Sequence, residues 1–238
     1  MASDPACYRV NRTPFKVQCE NSVTLAGRLW HSFSNSSPIN LESCPLLVCV
    51  HPWSKLGGSS ENMHSIAKIA ALRGIPAITF DHRGVGESTG CSTIQGMDEV
   101  EDVIAVCHYA ATSFGAKKIV LVGSSAGSAL DKVEEIQMYV ALGYVFGCFT
   151  RILFGKHFEN VLQSKKPKLF IQGSQDAFTK VATLDAYLKR SVGPTTKLIF
   201  PDIGHFDLEG SSYGNELVEA ILKFITEGKV EGTPSSTG

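Results

Sequence analysis

Short, unbroken runs of apolar residues alternate along the chain with longer amphipathic stretches, and this alternation constrains the fold more than any other feature. Apolar runs of about four to seven residues are typical of strands that are buried on both faces. The stretches between them have the spacing of amphipathic helices. The apolar runs are 46–50, 75–80, 118–122, 136–142, 168–172 and 197–200, and the clearest helical stretches are 61–72, 96–114, 180–190 and 215–226.

The order of these segments predicts an α/β fold. Strands that alternate with helices form a mainly parallel sheet with helices on both faces. Two further runs near the start, 15–19 and 24–30, have the spacing of an antiparallel hairpin. We therefore predict about eight strands in a single domain over residues 10–228, followed by a disordered tail at 229–238 that is rich in Gly, Ser and Thr.

Composition argues against several classes of protein. The 22 basic and 23 acidic residues give a formal net charge of −1, so nothing favours nucleic acid or an anionic membrane as a partner. No apolar run approaches the roughly 20 residues that span a bilayer, and the first residues do not have the pattern of a secretory signal. The seven cysteines include no CxxC pair, which favours reduced thiols in the cytoplasm over a disulfide framework or a zinc site.

The apolar run 118–122 leads directly into Gly123-Ser124-Ser125-Ala126-Gly127, a G-x-S-x-G motif between a strand and helical sequence. A turn this sharp needs glycine on each side, because Cβ atoms there would collide with the neighbouring strands. The turn lifts the Ser125 hydroxyl out of the sheet and points the first amides of the next helix toward a developing oxyanion. Ser125 is therefore the predicted nucleophile.

A serine hydroxyl needs a base, and the chain offers a histidine and an acid in suitable places. Asp176 follows the run 168–172, and His205 follows the run 197–200. Because parallel strands present their carboxyl ends on one edge of the sheet, we expect these groups to converge there with Ser125. His205 would take the serine proton and Asp176 would orient the imidazole. Asp202 and Asp207, which flank His205, are rival candidates for the orienting acid.

The loop after the run 46–50 is the expected source of a second oxyanion donor. It begins His51-Pro52-Trp53, and proline has no N–H to donate. We predict that the backbone amides of Trp53 and Ala126 form the oxyanion hole. His51 itself is interpreted as a residue that orders its own loop.

Together these motifs resemble the α/β-hydrolase superfamily, in particular the compact serine hydrolases similar to dienelactone-hydrolase-like and serine-aminopeptidase-like proteins. The resemblance extends over about residues 15–228 and is carried by 51–52, 81–88, 123–127, 173–176 and 204–206. It implies hydrolysis of a carboxylic-ester, thioester or peptide bond in a small-molecule ester or acyl substrate, with no metal or organic cofactor. It also implies a structural role for segment 81–88, so Asp81, Arg83 and Ser88 receive no catalytic role.

The crossover after the motif departs from that pattern because it is short. Residues 123–135 must supply the turn, a helix and the return to the next strand, and a parallel crossover needs about a dozen residues. We expect a helix of under three turns within 126–135. A deletion of about one turn here would expose apolar sheet and displace Ser125. This feature favours the alternative interpretation, a non-catalytic binding or scaffold protein on the same fold.

The insertion between the runs 136–142 and 168–172 is also small, which predicts a minimal cap. Its segment 144–154 is apolar and aromatic. Two interpretations remain open for this segment. It forms the wall of an acyl pocket, or it packs over the edge of the sheet like any other core segment.

Overall fold

An eight-stranded sheet organises the chain in the computed structural model, which describes residues 9–32, 41–94, 96–123, 126–146, 157–209, 211–228 and 230. The strand order is β1-β2-β4-β3-β5-β6-β7-β8. Strand β2 is antiparallel to β1 and β4, and the other neighbouring pairs are parallel. The strands are β1 Val10–Gln18, β2 Thr24–Ser32, β3 Leu46–Val50, β4 Ala77–Phe80, β5 Ile119–Val122, β6 Ile136–Leu142, β7 Lys168–Gly173 and β8 Thr195–Phe200.

Helices cover both faces of this sheet, as the sequence predicts. The α-helices are α1 His64–Leu72, α2 Met97–Ser113, α3 His157–Gln163, α4 Val181–Leu188 and α5 Gly214–Glu227. Side chains of α2, α3 and α4 share one apolar cluster with Leu46, Val48 and Val50, whereas α1 and α5 share the other with Leu47 and Cys49. Alternate residues of β3 therefore face opposite layers, which explains the unbroken apolar runs. The predicted fold class is confirmed.

Several element ends differ from the predicted ones. Strand β4 begins at Ala77, two residues later than the apolar run, whereas β1 begins at Val10 and pairs with β2 along its whole length. Helix α1 is preceded by a 3₁₀ turn at Ser60–Met63, which a capping box between Ser59 and Asn62 begins. Strand pairing at β1 and local capping before α1 thus set boundaries that the apolar pattern leaves undefined.

The crossover after β5 is less helical than predicted. The described part of the crossover has only a four-residue 3₁₀ turn, Ala126–Ala129, which begins within the motif, and irregular turns then lead to β6. Leu130 and Val133 nevertheless lie in the core, and Lys166 Nζ donates to their carbonyl groups at 2.6 and 3.1 Å. Strand β5 is buried along its length, so the expected exposure of apolar sheet does not occur in the described residues.

Some of the sequence predictions concern residues outside the described part of the chain. Residues 229 and 231–238 of the predicted tail are among them, and so are residues 147–154 of the apolar segment 144–154. Within the described ranges, no helix has both the length and the apolar character needed to cross a bilayer.

A buried lysine, Lys168, lies at the start of β7 and binds nearby carbonyl groups. The Lys168 side chain has no exposed surface, and its Nζ donates to the carbonyl groups of Ser164, Lys166 and Val192 at 2.5, 3.1 and 2.6 Å. These carbonyls belong to the segments that enter β7 and β8. The ammonium group therefore joins two chain segments at the amino edge of the sheet, where no strand pairing reaches them.

We predict that Lys168→Met lowers the free energy of unfolding by about 3 kcal/mol, because one buried and two part-buried carbonyl groups lose their donor. Urea unfolding measures the change. Lys197→Met is the matched control on β8, where the lysine is part-exposed and pairs with Asp185 at 2.5 Å. An exposed pair contributes less than about 1 kcal/mol. Equal destabilisation by the two substitutions would contradict the role assigned to Lys168.

Candidate active site

Two loops at the carboxyl edge of the sheet are held together at the end of β7. A Cβ atom at Gly173 would lie 2.3 Å from the carbonyl oxygen of Ile203, so glycine is required for this approach. The amide of Ser174 donates to Phe200 O at 2.8 Å, and that of Gln175 donates to Ile203 O at 3.0 Å. These contacts align the loop after β7 with the loop after β8.

The alignment brings Asp176 and His205 into contact. Asp176 Oδ2 lies 2.6 Å from His205 Nδ1, and Oδ1 accepts the amides of Phe178 and Thr179 at 2.7 and 2.8 Å. The Asp176 side chain is fully buried and that of His205 is 12% exposed. Burial by itself raises the pKa of Asp176, but the hydrogen bonds from His205 and the two amides outweigh it and lower the pKa overall.

The contact with Asp176 determines which nitrogen of the neutral His205 ring carries the proton. An ionised carboxylate only accepts hydrogen bonds, so Nδ1 carries the proton in the neutral ring. The lone pair is then on Nε2, where it can take a proton from a hydroxyl group. Of the rival acids, Asp207 accepts the amide of Gly204 at 2.6 Å, and Asp202 Oδ1 lies 3.4 Å from Gln175 Nε2.

The imidazole also lies against the end of β6. A Cβ atom at Gly143 would lie 3.1 Å from His205 Cε1 and 3.2 Å from Nδ1. Gly143 directly follows β6, which pairs with β5 through Val122 and Val140. Neighbouring strands are about 4.8 Å apart. The His205 ring is therefore one strand away from the end of β5, where the G-x-S-x-G motif begins.

Ser125 lies outside the described residues, but the glycines of its motif do not. A Cβ atom at Gly123 would lie 2.3 Å from Val50 O, and one at Gly127 would lie 2.1 Å from Val161 Cγ2. Tyr139 Oη donates to Gly123 O at 2.7 Å, which anchors the start of the turn to β6. Gly123 thus has the predicted steric role against a neighbouring strand, whereas a side chain at Gly127 would collide first with helix α3.

His51 anchors the loop that carries Trp53. Its side chain is completely buried, Nε2 accepts the amide of His82 at 3.0 Å, and Nδ1 lies 2.6 Å from Pro52 O. These bonds require the neutral ring with its proton on Nδ1. Burial and the neighbouring His82 lower the pKa of His51 to about 3. The Trp53 indole lies 3.4 Å from Thr93 O, which ties the same loop to a second one.

Within segment 81–88, the side chains of Asp81, Arg83 and Ser88 are buried beside this loop. Asp81 accepts the amide of Ser60 at 2.8 Å, and Ser88 Oγ donates to Asp81 O at 2.7 Å. The side chain of Arg83 donates to Asp102 Oδ1 at 3.0 and 2.7 Å. These groups bond to one another or to the backbone, which fits the structural role expected for them.

Sequence reasoning missed Asp102. Its carboxylate has no exposed surface and accepts bonds from the side chain and the amide of Arg83, with His82 Nδ1 at 3.4 Å. The signal was an acidic residue four positions before Val106, on the apolar face of α2. An acid at such a position needs a cationic or amide partner.

Within the ranges that the structure describes, no group of three or more His, Cys, Asp or Glu side chains is placed to hold a metal ion. The five described cysteines have free thiols. Burial raises the pKa of the Cys49 thiol to about 12, and burial followed by the Asp102 charge raises that of Cys19 to about 11. Neither thiol is activated as a nucleophile.

Solved structures with the same architecture come from several organisms. An α/β serine hydrolase homologue from Coxiella burnetii is 22% identical, with a TM-score of 0.68 over 87% of this chain and 95% of its own. An α/β serine hydrolase without a lid from Xanthomonas campestris is 21% identical, with a TM-score of 0.67 over 87% and 94%. Est1E from Butyrivibrio proteoclasticus, solved with ferulic acid bound, is 18% identical, with a TM-score of 0.72 over 90% and 98%.

These likenesses show that the chain has the α/β-hydrolase fold. No protein-family model and no curated protein sequence matches it.

The buried state of His51 predicts acid sensitivity. Its folded pKa lies below the unfolded value of about 6.5, so the unfolded chain binds more protons between these two values and stability falls as pH falls. Between pH 6.5 and pH 5, His51 alone removes about 2 kcal/mol of unfolding free energy. Urea unfolding at pH 7, 6 and 5 measures this loss.

The control for this prediction is a pair of variants. We expect His51→Gln to be less stable at pH 7 but to have a shallower pH dependence than the parent chain. His108→Gln, at an exposed position of α2, should leave the slope unchanged. Parallel slopes for the parent chain and His51→Gln would show that His51 is not the titrating group.

Proposed function

We propose that this protein is a serine hydrolase that cleaves carboxylic esters through an acyl-enzyme intermediate. Ser125 is the nucleophile, His205 the general base and acid, and Asp176 the residue that orients the imidazole. The observation that carries the proposal is the short Asp176–His205 contact beside the end of β6, next to the strand that leads into the Ser125 motif.

The reaction begins with proton transfer from Ser125 Oγ to His205 Nε2 as the oxygen attacks the ester carbonyl carbon. The charge of Asp176 stabilises the imidazolium that forms, since its carboxylate is ionised and buried against the ring. The tetrahedral intermediate then collapses, the bond to the alcohol oxygen breaks, and His205 returns the proton to that oxygen. Water repeats the sequence on the acyl-enzyme and releases the acid.

We assign the oxyanion hole to the backbone amides of Trp53 and Ala126. The His51 and Trp53 contacts support this assignment because they hold the first loop rigidly, as preorganised donors require. Ala126 begins a 3₁₀ turn of only four residues, so its contribution is a single hydrogen bond rather than the dipole of a long helix.

The substrate that we propose is a small-molecule ester, and the reaction needs no metal or organic cofactor. The serine hydrolases and the ferulic-acid-bound Est1E among the structural neighbours support this substrate class. Thioester and peptide bonds undergo the same acyl transfer, and they are the less favoured candidate substrates. The free thiols support a reducing compartment, and we place the protein in the cytoplasm.

We predict that the purified chain reacts with a fluorophosphonate probe and hydrolyses p-nitrophenyl acetate, and that Ser125→Ala abolishes both. Loss of the nucleophile should lower kcat by more than about a thousandfold. Mass spectrometry of the labelled peptide identifies the modified serine. Circular dichroism and thermal unfolding establish that the variant is folded.

Ser124→Ala is the matched control, since it changes the neighbouring serine of the same motif. It should retain labelling at Ser125. If Ser125→Ala is folded and hydrolyses the ester as fast as the parent chain, the proposal is wrong.

A non-catalytic binding or scaffold role is the second candidate. The observation that favours it is the 3₁₀ turn that replaces a full helix after Ser125. Other contacts stabilise the short crossover: Lys166 Nζ donates to the carbonyl groups of Leu130 and Val133 after the 3₁₀ turn, and Val161 of α3 packs against Gly127. These contacts answer the objection that the short crossover raises, and the Asp176–His205 contact then favours catalysis.

A variant with five residues inserted after Gly127 separates the two candidates. Because the short crossover is already buried and capped, we expect the parent chain to react with the probe and the inserted turn to raise the labelling rate by less than about twofold. Labelling time courses and melting temperatures of both chains provide the measurement. A parent chain that does not label, beside an inserted variant that does, would support the non-catalytic interpretation.

A further inference from the structure

Two exposed phenylalanines border the imidazole of His205. The ring centroid of Phe178 lies 4.5 Å from that of His205, the centroid of Phe206 lies 5.1 Å from it, and the two phenyl rings are 5.7 Å apart and almost perpendicular. Phe178 is 48% exposed and Phe206 is 60% exposed. Clustered aromatic rings that remain exposed commonly mark a binding surface.

The backbone of both phenylalanines is anchored close to the proposed catalytic pair. The amide of Phe178 donates to Asp176 Oδ1 at 2.7 Å, so the turn that orients the carboxylate also positions this ring. Phe206 directly follows His205 and begins a 3₁₀ turn, Phe206–Glu209. The end of β6 also lies beside this ring, since a Cβ atom at Gly143 would be 3.1 Å from His205 Cε1 and 3.2 Å from Nδ1. The phenyl rings therefore form an apolar border beside the proposed base; we call them the aromatic rim.

We propose that the aromatic rim binds the alcohol portion of the ester and favours an aromatic ring there. This inference rests on the proposed function, since it uses His205 as the acid that returns a proton to the leaving oxygen. Both phenyl rings lie against the His205 ring, so the carbon atoms of an alcohol bonded to the imidazole would be within reach of them. The perpendicular phenyl rings offer both a face and an edge to an incoming ring, the geometries that aromatic pairs prefer.

The test compares benzyl acetate with cyclohexylmethyl acetate. Both release acetate and an unactivated primary alcohol of similar size, so their difference isolates the aromatic character of the leaving group. We expect kcat/KM to be about fivefold higher for the benzyl ester. Phe178→Leu and Phe206→Leu, which keep an apolar side chain, should bring the ratio of the two esters close to one.

Leu72→Ala is the control, because Leu72 is an exposed apolar residue at the end of α1, at the opposite edge of the sheet. It should keep the benzyl preference. Chemical-shift titration of the Ser125→Ala chain with benzyl alcohol gives a readout without turnover, and the rim residues should respond more strongly than they do to cyclohexylmethanol.

The outcomes separate this inference from the proposed function. If the parent chain hydrolyses both esters with equal kcat/KM, or if the leucine variants keep the preference, the aromatic rim is not the alcohol subsite although the hydrolase proposal stands. If the probe does not label Ser125 and neither ester is cleaved, the proposed function fails and the subsite assignment fails with it.

Discussion

The close approach of two backbone segments at Gly173 is the constraint on which the candidate site depends. Any side chain there would collide with the carbonyl oxygen of Ile203, which would separate the loops after β7 and β8. Asp176 and His205 stand on these two loops, and their contact of 2.6 Å tolerates little displacement. Two amides hold the other carboxylate oxygen, so the orientation of the imidazole follows from main-chain geometry rather than from flexible side chains.

The apolar pattern was sufficient to predict the sheet, because strands buried on both faces leave an unbroken run in the sequence. It also placed Asp176 and His205 after two strands whose carboxyl ends meet at one edge. The pattern did not predict Lys168 or Asp102 as buried charges, since their partners are backbone carbonyls in one case and distant side chains in the other. Only tertiary contacts reveal how such groups are compensated.

The crossover after β5 shows why local length is a poor guide to helix content. The sequence predicted a helix of under three turns, but the structure has a single 3₁₀ turn, because the remaining residues must return to β6. Burial of Leu130 and Val133 and the carbonyl contacts of Lys166 stabilise this irregular path. Lys166, in the segment before β7, thus supplies hydrogen-bond donors to carbonyl groups that would be bonded by backbone amides in a longer helix.

The alternation of side chains along β3 has a consequence for which substitutions the core of such a protein can accept during evolution. Since Leu46, Val48 and Val50 face one helical layer while Leu47 and Cys49 face the other, the sheet is a partition between two separate apolar compartments. A volume change in one compartment can be balanced by its own helices, without repacking across the partition. The two halves of the interior are therefore free to diverge or to be redesigned one at a time.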